Sequence, residues 1–257
     1  MDIYANARRE AEARFEAGWR PSNLLGKENP KIRKAEKKNW KGLGLSMAPA
    51  NVSGFEVCAS RSPECTKHCI FTSGRGAPNF TRKDGSHPIW GGRIFRTIWY
   101  FRARDEFKAQ LHKEISRNQD AAIRLNVYSD IMWEKAFPEI ATDFPDTQFY
   151  DYTKHFNRMF RDRPDNYHLT FSLHENNQSQ AKEVLQAGMN VAAVTDQIGG
   201  SLFGFPVIDG DDHDLRFLDP SPCVVGLWPK GSLKSDLNKE MVYETDEETV
   251  ELVPEAA

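Results

Sequence analysis

Residues 148–177 read QFYDYTKHFNRMFRDRPDNYHLTFSLHENN. Two short runs in this stretch, at 148–153 and 167–173, are rich in aromatic and β-branched residues and predict β-strands. A helix-like segment at 154–162 connects them. Strand, helix and strand in this order predict a βαβ unit with parallel strands, which indicates an α/β fold.

The same alternation continues on both sides of this unit. We predict further strands at 42–48, 122–129, 190–195, 205–209 and 223–228. We predict helices at 2–18, 89–118, 134–143 and 177–187, the last ending at Gly188. Six or seven mostly parallel strands predict a TIM-like partial (β/α) barrel. The Gly-rich segment 197–204 is too short for a full helix, so we expect an incomplete ring of helices.

Polar residues follow the predicted strands at their carboxyl ends. They include Ser129, Asp130, Lys154, His155, His174, Glu175, Asp196 and Asp209. In (β/α) barrels the loops after the strands converge and carry the chemistry. We therefore predict Asp130, Lys154, Glu175 and Asp209 as catalytic residues that position a substrate. Ser129, Asp130 and Lys154 are the predicted cofactor-binding residues. Each residue also fits an ordinary polar loop, and Asp130 fits a helix N-cap.

Three of the four cysteines lie close together after the first strand of the predicted barrel. Cys58, Cys65 and Cys69 have the spacing C-x6-C-x3-C. So few cysteines in a long chain argue against a disulfide framework. Three thiolates can ligate three irons of a [4Fe-4S] cluster and leave the fourth iron open. The alternatives are metal-free thiols and a zinc site, in which His68 or His87 would be the fourth ligand.

Several segments, from about Lys31 to Ser232, resemble a bacteriophage family known as gene product 88. In chain order they are LSMAPANVSGFEVCASRSPECTKHCIFTSGRG, RLNVYSDIMWE, FYDYTKHFNR, NYHLTFSLHENN and VIDGDDHDLRFLDPSPCVVGLWPKG. A more distant set of phage proteins, with a C-x6-C-x2-C loop, is similar to radical S-adenosylmethionine (SAM) enzymes. The resemblance implies a TIM-like partial barrel with a [4Fe-4S] cluster at its carboxyl-terminal mouth.

The chain departs from the radical SAM pattern at two places. Those enzymes typically have C-x3-C-x2-C, and a Gly-Gly-Glu-like element that holds the amino group of SAM. Here the corresponding stretch is Tyr128-Ser129-Asp130-Ile131, so Asp130 is the residue that would take this role. If SAM binds, a reduced cluster would cleave it to a 5′-deoxyadenosyl radical that acts on an unknown substrate. Cys223 opens an apolar strand, which is typical of a small core residue. If Cys223 were instead a fourth ligand, it would close the cluster and leave no iron open for SAM.

Two other functions stay open. The first is a non-enzymatic iron–sulfur protein with a structural, redox-sensing or regulatory role. The second is a zinc-stabilised nucleic-acid-binding protein. It would use the basic run Lys31–Lys41 for phosphate contact, although this run also fits a solvated helix face. The formal net charge of −3 gives no separate indication of a nucleic-acid binder.

The chain divides into three predicted regions. These are an N-terminal helix and connector (1–30), an iron–sulfur domain (31–235) and a mobile acidic tail (236–257). No run of apolar residues is long enough for a membrane span, and the N-terminus lacks the apolar core of a secretory signal. We therefore expect the protein in the cytoplasm, of an infected host cell if it is phage-encoded.

Overall fold

The predicted parallel strands form one open sheet. The structure is a computed structural model that describes residues 2–27, 29–236 and 240–247. Within these residues the strands are β1 (Leu25–Gly26), β2 (Lys41–Leu45), β3 (Ala121–Arg124), β4 (Gln148–Thr153), β5 (Tyr167–Ser172), β6 (Val191–Thr195), β7 (Ser201–Leu202), β8 (Phe205–Asp209), β9 (Val224–Leu227) and β10 (Val242–Tyr243). The strands at 148–153 and 205–209 have the predicted bounds, whereas β3 ends five residues before the predicted 129.

The helices lie mostly between successive strands. They are α1 (Ala5–Glu16), α2 (Pro30–Arg33), α3 (Pro63–Lys67), α4 (Trp90–Arg102), α5 (Arg104–Ser116), α6 (Trp133–Ala136), α7 (Glu139–Asp143), α8 (Phe156–Met159) and α9 (Gln178–Gln186). Helix α9 ends as predicted, because Gly188 adopts a positive φ of 82° and its N–H bonds to Leu185 O. The predicted single helix over 89–118 is wrong, since Ala103 breaks it into α4 and α5 with φ −140° and ψ 63°.

The strand order is β1-β2-β3-β4-β5-β6-β9-β8-β7. Neighbours from β2 to β8 along this path are parallel, and only the outer strands β1 and β7 pair antiparallel. The prediction of an α/β fold with mostly parallel strands is therefore confirmed. The path has two ends among the described residues, so the sheet does not close into a barrel.

The two faces of the sheet are covered differently. On β4, Phe149 and Tyr150 point to opposite faces because side chains alternate along a strand. Phe149 belongs to the large core formed with α4, α5 and α9. Tyr150 packs with Leu215 and, at its edge, Phe217, which belong to the segment between β8 and β9. This segment, residues 210–219, therefore covers part of the face opposite the main core.

The terminal segments both contact the sheet domain. Helix α1 is buried at Ala7 and Ala11, where it packs against α4. Strand β10 pairs with β6, and Asp246 exchanges two backbone hydrogen bonds of 2.9 Å with Ser201. The expectation of a mobile acidic tail is therefore wrong for residues 242–246, because backbone pairing holds them. Residues 237–239 and 248–257 of that tail lie outside the described residues.

No helix among the described residues combines the length and the apolar character that a membrane span requires. The division into three regions stays a prediction.

Candidate functional site

The cysteine loop leaves the carboxyl end of β2 and folds back on itself. The backbone N–H of Ala50 donates to Cys58 Sγ at 3.3 Å. Ser62 caps α3 by accepting a hydrogen bond from the N–H of Cys65 at 3.1 Å, and Pro63 starts the helix with a preset φ. These local interactions fix Cys65 in the first turn of α3. Cys69 follows directly after the helix.

The side chain of Lys154, which follows β4, lies within electrostatic range of all three cysteine thiols. The Lys154 ammonium interacts electrostatically with Cys65, Cys58 and Cys69, and with Asp130. Burial raises the pKa of the Cys58 thiol to about 12 and that of the Cys69 thiol to about 11. One cation therefore acts on all three thiols of the cysteine loop, and at least one pair of their sulfurs lies more than 4.8 Å apart.

Asp130 holds the ends of β3 and β4 together. Its carboxylate accepts hydrogen bonds from Thr153 Oγ1 at 2.8 Å and from the backbone N–H of Lys154 at 2.7 Å. Its own N–H donates to Val57 O at 2.8 Å, directly before Cys58. Both carboxylate oxygens are thus engaged, and Asp130 positions Lys154 and the cysteine loop. Ser129, the other predicted cofactor-binding residue of this loop, is buried and donates to Asn126 Oδ1 at 2.8 Å.

Glu175, after β5, contacts the start of α3. Its carboxylate accepts hydrogen bonds from Ser62 Oγ at 2.7 Å and from the N–H of Glu64 at 3.2 Å. An anionic side chain stabilises a helix N-terminus because the first N–H groups there have no partner in the helix. His155 contacts the same loop, with Nδ1 2.7 Å from Ser60 Oγ. Residues after β3, β4 and β5 therefore support the cysteine loop at three points.

Arg93 of α4 is a further residue of this site, and no sequence pattern distinguished it. It adds a positive charge near Cys69. Its guanidinium lies 4.0 Å above the ring of Tyr128 and donates to Tyr128 Oη at 3.0 Å. The only signal in the sequence is that arginines and aromatic residues are interspersed along this helix, a pattern that fits packing equally well.

Asp209, the fourth predicted catalytic residue, lies apart from this arrangement. It is exposed at the end of β8, and its carboxylate accepts from the N–H of Asp211 at 2.7 Å, which closes a turn. Asp211 in turn pairs with Lys31 at 3.2 Å and with Lys230 at 2.5 Å. The acidic loop therefore binds lysines of the chain itself.

The basic run Lys31–Lys41, predicted for nucleic-acid contact, contributes several of these pairs. Besides the pair of Lys31, Lys38 lies 3.3 Å from Asp212, and Lys41 lies 3.1 Å from Asp120. Much of its charge is thus balanced within the chain. This surface therefore gives no support to nucleic-acid binding.

Both predicted zinc-ligating histidines are hydrogen-bonded to groups other than the cysteines. His87 Nδ1 accepts from the N–H of Ile89 at 3.2 Å, and its Nε2 lies 3.1 Å from Ala77 O. His68 contacts Ser232 Oγ through Nδ1 at 2.8 Å and Asp236 Oδ2 through Nε2 at 2.5 Å. Both rings are therefore held by other partners.

His68 belongs to a separate group of potential ligands. Among the described ranges, Glu64, His68 and Asp236 are the one set of three His, Cys, Asp or Glu residues whose ligand atoms lie within 4.8 Å of one another. Lys67 donates to Asp236 at 2.8 Å and to Glu64 at 3.1 Å, so an ammonium group already lies among these carboxylates. The group joins α3 to residues 232–236.

Cys223 lies at the amino end of β9, whereas the cysteine loop lies at the carboxyl edge of the sheet. It is fully buried in a small cluster with Ala192 and Val225. Burial raises its pKa to about 12. The interpretation of Cys223 as a core residue agrees with this location.

Comparison with known proteins defines the family. The model of the family described as Gene product 88 matches residues 23–244. The chain belongs to the Gene product 88 family. The match includes the cysteine loop and the loops that support it, so these features lie inside the family's shared region. Searches of curated proteins and of solved structures find no match. The resemblance to radical SAM enzymes stays a prediction.

Proposed function

We propose that this protein binds one [4Fe-4S] cluster through Cys58, Cys65 and Cys69. The observation that carries the proposal is a loop in which hydrogen bonds hold Cys58 and Cys65 and in which all three thiols interact electrostatically with the Lys154 ammonium. A thiolate-ligated cluster is anionic at its ligands, and a nearby cation stabilises that charge. Lys154, aided by Arg93 near Cys69, is suited to this role.

The chemistry of the donor groups fits a cluster. The backbone N–H of Ala50 donates to the sulfur of Cys58, and the backbone of Phe71 favours the thiolate form of Cys69 by lowering its pKa. Hydrogen bonds to cluster sulfurs are one of the means by which proteins tune such centres. The buried thiols resist ionisation on their own, so cluster binding would supply the charge that keeps them as thiolates.

A zinc site has less support. Zinc ligands lie about 2.0–2.3 Å from the metal in a tetrahedron, so they must lie close to one another. At least one pair of the three cysteine sulfurs lies more than 4.8 Å apart. Thiolates that ligate different irons of a cluster tolerate the wider spacing. His68 and His87 would also have to release their present partners to become a fourth ligand.

We further propose that the cluster keeps one iron open for SAM, in a site that resembles a partial radical SAM barrel. The position of Cys223 at the opposite end of the sheet supports an open iron. A bound cluster would supply single-electron reduction. The chain would contribute Lys154 as a partner for a carboxylate of SAM or of the substrate. It would act in the cytoplasm of the infected cell.

The cluster is tested by anaerobic reconstitution of the full chain with iron and sulfide. We expect a brown protein whose colour and bound sulfide are lost in Cys58→Ala, Cys65→Ala and Cys69→Ala but kept in Cys223→Ala. Full iron and sulfide in all three single variants would exclude the assignment. A colourless protein with stoichiometric zinc would support the zinc-stabilised alternative instead.

SAM binding is tested separately on the reduced protein by electron paramagnetic resonance. We expect SAM to change the cluster signal, and dithionite to release 5′-deoxyadenosine. An unchanged signal at millimolar SAM, with the cluster intact, would assign the protein to the non-enzymatic iron–sulfur class. Loss of the cluster in Cys223→Ala would show a closed cluster and exclude the radical mechanism.

A further inference from the structure

Arg93 of α4 carries a positive charge that no carboxylate balances. Within the part of the chain that the structure describes, Arg93 forms no ion pair with an Asp or Glu side chain, and its buried Nη1 atom has no hydrogen-bond partner. The groups that favour its charged form are Tyr128 and Cys69. A cation that is largely withdrawn from water is ordinarily paired with an anion, because the loss of hydration is costly.

Two aromatic rings enclose the Arg93 guanidinium. It lies 4.0 Å from the centre of the Tyr128 ring and 5.2 Å from the centre of the Phe71 ring, and its Nη2 donates to Tyr128 Oη at 3.0 Å. Contacts with aromatic faces replace only part of the lost hydration. Burial accordingly lowers the pKa of Arg93, so the folded chain holds this charge less well than the unfolded chain does.

The two rings connect Arg93 to the segments that carry Cys58 and Cys69. Phe71 follows Cys69 by two residues in the chain. Tyr128 accepts a hydrogen bond from Cys58 Sγ through its carbonyl oxygen at 3.6 Å. Negative charge that develops on the cysteine sulfurs therefore lies near the unbalanced guanidinium.

Lys154, the other cation near the thiols, has a carboxylate in its surroundings. Burial alone would lower the pKa of Lys154, but the three thiols and Asp130 raise it. Asp130 also accepts a hydrogen bond from the backbone N–H of Lys154 at 2.7 Å. Arg93 has no such partner, so the metal-free site is left with an excess of positive charge beside Cys69.

We propose that Arg93 raises the reduction potential of the iron–sulfur cluster held by Cys58, Cys65 and Cys69. One-electron reduction adds a negative charge to the cluster, and a nearby uncompensated cation stabilises that charge. The inference rests on the proposed function. It explains why the fold retains a charge that destabilises the metal-free chain, since locally unfavourable groups are typical of functional sites.

The test is a spectroscopic redox titration of the reconstituted full-length chain. Arg93→Met removes the charge and keeps an unbranched side chain against the two rings. We expect its reduced-to-oxidised ratio at a given potential to fall about tenfold, which lowers the midpoint potential by about 59 mV for a one-electron couple. Arg93→Lys keeps the charge, so its midpoint potential should stay close to that of the wild type.

Urea unfolding of the metal-free chain gives a second readout that does not depend on the cluster. Arg93→Met should unfold at a higher urea concentration than the wild type, because the uncompensated charge is gone. An arginine with a purely structural role would give the opposite sign, since its hydrogen bond and its ring contacts would be lost.

Arg104→Met is the matched control. Arg104 makes similar contacts, with Nη1 donating to Tyr100 Oη at 3.0 Å and the guanidinium 4.9 Å from the centre of the Tyr100 ring. It is exposed at the start of α5, so water solvates its charge. Arg104→Met should therefore leave the midpoint potential unchanged and should not stabilise the metal-free chain.

The outcomes separate this inference from the proposed function. An intact cluster with an unchanged potential in Arg93→Met, or equal shifts in Arg93→Met and Arg93→Lys, would overturn the inference and leave the proposed function standing. A lower urea midpoint for metal-free Arg93→Met would also overturn it. A wild-type chain that binds no cluster would refute the proposed function and with it the redox role, whatever the stability of the variant.

Discussion

Replacing Asp214 with Asn should strongly destabilise the protein. Asp214 is fully buried, with Oδ2 2.9 Å from Arg124 Nη1 and Oδ1 3.1 Å from Tyr152 Oη. Burial alone would raise its pKa, but the charges of Arg124, Lys31 and Arg216 more than offset this and lower it. The amide of Asn would leave the nearly buried Arg124 guanidinium without a compensating charge. Breaking a buried ion pair in this way costs about 3–5 kcal/mol.

Urea unfolding of both proteins measures this cost as the difference in the free energy of unfolding. Asp120→Asn is the control, because its pair with Lys41 is exposed to solvent and should contribute far less to stability. Should Asp214→Asn fail to fold, the double variant Arg124→Met/Asp214→Leu should fold, since apolar residues can replace a buried pair. A cost below about 1 kcal/mol, or one equal to that of the control, would refute our account of this pair.

Two further predictions concern the loop after β8 and the packing of β2. Burial alone would raise the pKa of Asp211, but neighbouring lysines, foremost Lys31, lower it to about 2. The stability from this pair is therefore complete only from about pH 4 up to the range near pH 8, where Lys31, whose pKa burial lowers to about 8, loses its charge. It is lost as the pH falls towards 2, so acid titration of the unfolding midpoint should show a smaller loss in Asp211→Asn. Gly42→Ala should lower the free energy of unfolding by about 1–3 kcal/mol in urea, because a Cβ would lie 2.5 Å from Ile32 O. Gly26→Ala, with open space around it, should not share this packing cost.

The parts of the fold that depend on local pattern could be predicted from the sequence. The alternation in residues 148–153 predicts β4 at its observed bounds. The convergence of Asp130, Lys154 and Glu175 on one edge follows from parallel strands, since their carboxyl ends meet there. The break at Ala103 could not be predicted, because no Gly or Pro marks it and the apolar spacing nearly continues through it.

The roles of individual site residues depend on contacts between distant segments, which the sequence pattern does not contain. Glu175 looked catalytic as a carboxylate after a strand, yet it binds the first turn of the helix that carries Cys65. The loop with Asp214 had the composition of a polar surface turn. Its burial depends on Arg124, ninety residues earlier in the chain. Composition alone could not reveal that pairing.

The central claim is that Cys58, Cys65 and Cys69 hold a [4Fe-4S] cluster with one open iron. Mössbauer spectroscopy of the chain, reconstituted with isotopically enriched iron, tests it most directly. We predict the spectrum of a thiolate-ligated cubane in which SAM shifts about a quarter of the iron absorption, since one iron lacks a thiolate. A spectrum of mononuclear iron, or the same cubane spectrum in Cys65→Ala as in the wild type, would contradict the claim.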